Sequence, residues 1–211
     1  MAHASSGCAL NPTPLIPSPT LSAWRMAEKT HLQGEWHTAL WYHFGAAVDM
    51  LENAIVACPD ELWGDRAQQP EFWYMAYHTL FFLDYYLSES ADGFQPPAPF
   101  TLEELDPAGV LPERVFTKDE LLRYLEHGRE KCRRLIASLT DETAREVRRF
   151  NRNDWTVLDW LMVSMRHVQH HTAQLNLILR QQTDSAPRWV GRTSRELELP
   201  HRISSRIQTV F

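Results

Sequence analysis

The sequence lacks most of the features that would classify it quickly. No apolar run approaches the roughly 20 residues that a transmembrane helix needs, so no membrane association is expected. There are only three cysteines, Cys8, Cys58 and Cys132, far apart and with no CxxC pair. An odd, sparse set of this kind gives no disulfide framework and suits a reducing compartment. Cys58 and Cys132 both read as packing residues. Positive charge is not in excess: 21 Lys and Arg stand against 27 Asp and Glu, a net charge of −6. That balance argues against a nucleic-acid coat or a polybasic membrane binder. GxSxG, phosphate-binding glycine loops, GxGxxG and HExxH are all missing. No segment alternates with period two for long, so an extensive sheet is not expected. The opening MAHASSGCALNPTPLIPSPT has no basic start and no continuous apolar stretch, which makes a poor signal peptide. A cytoplasmic location is the expectation.

What the chain does have is core-forming material and histidine. Of its 211 residues 44% are hydrophobic and 11% aromatic, including eight tryptophans, enough for one packed domain. Four helical segments can be read from the periodicity. The first runs from about Glu35 to Ala57, with Leu40, Phe44, Val48, Leu51 and Ile55 at helical steps. The second begins at Pro70 and reads EFWYMAYHTLFFLDYYL, apolar on nearly every side and therefore expected to be surrounded. The third opens on the capping box Thr117-Lys118-Asp119-Glu120, and the fourth on Thr156-Val157-Leu158-Asp159, reaching about Gln181. The proline-rich stretch from Ser90 to Phe116 is a long connection, a lid or crossover on one reading and a surface strap on another. These elements predict an all-α, four-helix bundle over residues 31–182. It is preceded by a flexible lead-in over residues 1–30 and followed by a tail over residues 183–211.

Helix four carries RHVQHHTAQLNLILRQ. His167 and His171 are four residues apart, hence about 40° apart around the helix and one turn along it, where two imidazoles can share a metal ion. The spacing alone is weak, because a solvated helix face gives the same string. Trp160, Ser164, His167, His171, Leu175 and Ile178 fall on one line, with Leu158, Leu161, Met165, Val168, Thr172 and Leu179 beside it. The two histidines therefore lie within a face meant for burial, and unpartnered buried imidazoles are costly. A metal satisfies both, and so would hydrogen bonds between them or to Asp and Tyr. A third ligand would come from another helix. His78, on a line with Tyr74, Phe81 and Tyr85, is the first candidate and His43 the second. His170 points away as an outer partner or a surface group, and His3, His31, His37, His127 and His201 lack a matching context. Gln174, one turn past His171, can hold a ring nitrogen in place. Asp84 can orient an imidazole or act as a base, although a local partner is its more ordinary use. Three neutral imidazoles leave coordination positions open, a catalytic type of site for Zn²⁺, Ni²⁺, Co²⁺ or Fe²⁺.

WYMAYHTLFFLDYYL and the H-x-x-x-H-x-x-Q-L pattern in RHVQHHTAQLNLILRQ, with Thr156-Val157 and Pro187-Arg188-Trp189-Val190, resemble the DinB-like superfamily, also called DinB/YfiT-like, of metalloenzymes. The resemblance covers roughly Trp36 to Val190. It implies an up-down-down-up four-helix bundle with a long crossover between helices two and three. It implies a divalent metal held by one histidine of helix two and two of helix four, here His78, His167 and His171. Some members of that family are S-transferases that use low-molecular-weight thiols, one is a maleylpyruvate isomerase, and many are dimers. A similar domain holds iron in ergothioneine sulfoxide synthases, which need a second domain that is not expected here. The reading that follows is a metal-dependent, thiol-using transferase acting on a small electrophile. The alternatives are a metal-dependent hydrolase, a non-catalytic metal binder for sensing or stress, and a plain bundle with a satisfied histidine core.

Overall fold

The computed structural model describes residues 21–109 and 111–198, with side chains from Glu35 onward. The chain is mostly helical. Its helices are α1 (Leu21–Ala57), α2 (Asp60–Trp63), α3 (Phe72–Tyr86), α4 (Lys118–Ser138) and α5 (Val157–Thr183). A two-stranded hairpin, β1 (Val147–Phe150) and β2 (Asn153–Thr156), joins α4 to α5. Most of the expected lead-in lies outside the described residues, but α1 already begins at Leu21, fourteen residues before its apolar periodicity does.

The four long helices pack in a ring of contacts: α1 against α4 and α5, and α3 against the same two. Phe44, Leu51 and Ile55 of α1, Phe72 and Phe81 of α3, Leu121 and Ile136 of α4, and Leu161, Val168 and Leu175 of α5 fill the centre. Both anticipated capping boxes are formed. The Thr117 hydroxyl accepts from the Glu120 amide at 3.2 Å, and the Glu120 carboxylate accepts from the Thr117 amide at 2.8 Å. Thr156 and Asp159 repeat the arrangement at 3.1 and 3.2 Å. Pro70 is not the first residue of α3, which starts two residues later with Glu71 as its N-cap. The hairpin was not legible, since its strands have four residues each. Its two-residue turn puts Asn151 and Arg152 at φ 47° and 69°, the left-handed pair that a tight hairpin requires.

The tail folds back on α1. The Thr193 amide donates to the Tyr42 carbonyl at 3.0 Å, and the Trp41 indole donates to the Arg195 carbonyl at 2.7 Å. Gly45 makes this approach feasible, because a Cβ there would stand 2.6 Å from the Thr193 methyl. Arg129 ties α4 to α1. Its side chain is 3% exposed, and its guanidinium donates to Asp49 and Glu52 of α1 and to Glu126. Removing one partner of a buried ion network strands the others. Arg129→Ala should therefore cost about 3 kcal/mol in urea unfolding. A loss below about 1 kcal/mol would show the network to be ornamental.

Candidate metal centre

The site lies where α3 meets α5. The buried line foreseen on α5 is present: Trp160, Ser164, Leu175 and Ile178 are buried, and His167 and His171 are partly buried between them. Leu158, placed on the neighbouring line, is instead 39% exposed. From the opposing helix, His78 is also partly buried, with its ring against Phe82 at 4.8 Å and Tyr74 at 6.3 Å. Those neighbours are one turn away on either side, whereas Phe81 and Tyr85 turn into the core.

The three histidines converge. One ring nitrogen from each of His78, His167 and His171 lies within 4.8 Å of the other two. The Nε2 atoms of His167 and His171 are 3.2 Å apart. His43, the second candidate from sequence, is exposed on α1 and is not part of this group. His170 is exposed, with its ring 5.0 Å from that of His171.

Hydrogen bonds to the far nitrogens fix how two of the rings are used. His78 Nδ1 is 2.7 Å from Glu104 Oε2. A carboxylate only accepts, so Nδ1 carries the proton and Nε2 presents its lone pair. His171 Nδ1 is 2.7 Å from Gln174 Oε1, with the same consequence. Gln174 thus stands where the sequence placed it. Glu104 was missed: it comes from a single 3₁₀ turn, Glu103–Leu105, within the long connection, and no periodicity marks it. Its side chain is 3% exposed, so the connection closes over this side of the cluster.

Asp84, expected as an outer partner of the site, serves elsewhere. Its carboxylate is buried and accepts from Tyr124 at 3.2 Å, from His127 at 3.3 Å and from Lys131. Burial opposes ionisation, but the hydrogen bonds and charges of His127 and Lys131 outweigh it and hold Asp84 below the usual carboxylate range. The physical reason is angular. Six residues separate Asp84 from His78, about 240° around the helix, so the carboxylate faces α4 and not α5.

The residues present suit a divalent cation. Two ligands of a tetrahedral zinc at 2.0–2.1 Å stand about 3.4 Å apart, close to the spacing of His167 and His171. Burial, then the neighbouring charges of His171, His78 and His170, pushes the His167 pKa down to about 3. His171 is lowered mainly by burial too. His167 and His171 are thus held in the neutral form that metals bind. Neither thiol of the described chain is a nucleophile here. Cys58 is buried and its pKa is pushed up to about 12 by desolvation, and Cys132 is raised well above its ordinary value for the same reason.

With this geometry in view, comparison with known proteins is decisive for the family. The family model of the DinB superfamily matches residues 43–175. This chain belongs to the DinB superfamily. No curated protein and no solved structure matches it. The matched span contains all three histidines of the cluster, Gln174 and the whole long connection with Glu104. No helix among the described residues of this DinB-superfamily protein is long and apolar enough to cross a membrane.

A depressed histidine pKa destabilises the fold in acid. Between about pH 6.5 and pH 3 an unfolded chain protonates His167 while the folded chain does not, so stability falls as pH falls. With metal chelated, the protein should lose about 1–2 kcal/mol between pH 7 and pH 5 through this residue. His167→Gln should flatten that dependence in urea titrations. An unchanged slope would show that the ring is protonated in the fold.

Proposed function

We propose that His78, His167 and His171 hold one divalent cation, and that the protein uses it to transfer a low-molecular-weight thiol onto a small electrophile. The observation that carries the metal reading is the pair of outer acceptors. Glu104 and Gln174 each take an Nδ1 proton, which aims the Nε2 lone pairs of His78 and His171 into the space they share with His167. Such acceptors are the usual companions of metal-binding imidazoles. Zn²⁺, Ni²⁺, Co²⁺ and Fe²⁺ all suit three imidazoles. The ring of helix contacts is read as the up-down-down-up four-helix bundle, with the Ser90–Phe116 stretch as its crossover. A cytoplasmic homodimer without nucleic-acid partners completes the proposal.

A cation at this position supplies Lewis acidity, which favours loss of the proton from a thiol or a water. The chain supplies the rest. His78 is oriented by Glu104 and His171 by Gln174. Phe82, 5.6 Å from His167, and Tyr86, 6.2 Å from it, wall one side against water. An open cleft beside His167 leaves the other side accessible. In the transfer the thiol proton leaves to solvent, the sulfur forms a bond to the electrophilic carbon, and the leaving group departs with its electron pair. Among the described residues neither Cys58 nor Cys132 supplies the thiol, because both are buried with their pKa values raised by desolvation, and an exogenous thiol is the reading. The resemblance to thiol-dependent family members supports thiol transfer over hydrolysis.

Elemental analysis of protein purified without an affinity tag should find about one divalent ion per chain. His171→Ala should remove it while helical circular dichroism persists. Glu104→Gln should weaken affinity about 10–100-fold without changing stoichiometry. Metal retained by His171→Ala would contradict the ligand set. With L-cysteine and monochlorobimane as probes, the loaded wild type should accelerate thioether formation and His171→Ala should not. Stoichiometric metal without acceleration would leave a metal-binding protein and remove the transferase.

A further inference from the structure

The cleft beside His167 has a composition that selects among electrophiles. Its volume is about 570 Å³, and it is lined by Trp155, Val163, Arg166, His167, Gln169 and His170. The lining contains a guanidinium and no Asp or Glu, although the chain as a whole carries a net charge of −6. Arg166 is exposed and has no ion-pair or hydrogen-bond partner among the described residues. Arg129 and Arg133, which are buried and half-buried, are engaged by neighbouring carboxylates, whereas Arg166 shares its exposure with Arg123 and Arg180 but alone of these borders the cleft. Trp155, on β2, is 38% exposed, and its ring rests on Trp160 at 4.7 Å, which holds it in place at the cleft wall. An unpaired guanidinium, a fixed aromatic surface and one ring of the histidine cluster thus border a single space.

Guanidinium matches a carboxylate through two parallel hydrogen bonds, and a flat indole suits an unsaturated or aromatic body. We propose that this cleft binds an anionic substrate, with Arg166 holding its carboxylate, Trp155 supporting its planar body, and its electrophilic end directed to the side of His167. As a statement about substrate class this rests on the function proposed above; as a statement about anion binding it stands on the cleft alone.

Calorimetric titration of the full chain with benzoate and with its neutral counterpart benzamide tests it, with and without one equivalent of Zn²⁺. Benzoate should bind about tenfold more tightly than benzamide in both states, the effect of one charge-assisted contact at a half-open site. Arg166→Gln should abolish that preference, and Arg166→Lys should keep part of it. No preference in the wild type, a preference that survives Arg166→Gln, or one confined to the Zn²⁺-loaded sample would overturn the proposal. Zn²⁺ retention, measured on the same samples, reports separately on the histidine site. Lost zinc with an intact benzoate preference counts against the metal reading while supporting the cleft.

Discussion

The packing of α3 on α5 places three imidazoles in one partly buried space, and the neighbouring elements are arranged around that requirement. Imidazoles in such a place must stay neutral or find partners. His167 does the first, through a pKa depressed by burial. His78 and His171 do the second on their outer edges, through Glu104 and Gln174. The bond to Glu104 has a further consequence. It anchors the long connection between α3 and α4 against the cluster, so the loop that covers the site is fastened by one of the site's own rings.

The same helix serves a second polar centre on its other side. Asp84 accepts from Tyr124, His127 and Lys131, all on α4, and Lys131 also donates to Ser88 at 2.7 Å. A buried carboxylate held ionised by Lys131 and by the hydrogen bond from His127 fastens α3 to α4, as Arg129 fastens α4 to α1. Polar ties therefore hold α4 on two neighbours, whereas the α3–α5 seam is the one given over to histidines.

Much of this was legible in the sequence because it is local. The capping boxes at Thr117 and Thr156 and the buried line through Trp160, Ser164 and Leu175 follow from spacing along one helix. Gln174 follows in the same way, one turn from His171. Glu104 was not legible, because its partner is 26 residues away and its own segment has no period. Asp84 carried two readings in the sequence, an outer partner of the site or a group with local partners, and the angle around the helix decides for the second by putting it on the opposite seam. The early start of α1 was missed because residues 21–34 lack an apolar stripe, although many of them, such as Ala27, Glu28 and Lys29, favour helix intrinsically. The tail's return to α1 depends on Gly45 receiving Thr193, a contact between residues with no sequence signal in common.

In the proposed reading the histidine cluster is the inner half of a centre, for a cation, and the cleft beside it the outer half, for an anion. The inner half decides the account. X-ray absorption spectroscopy on protein titrated with one equivalent of Zn²⁺ examines it most directly. Three imidazole scatterers at about 2.0–2.1 Å, with one light atom and no sulfur, are the predicted first coordination sphere. A spectrum with one imidazole or none, or with sulfur bound to the metal, would contradict a shared site at His78, His167 and His171.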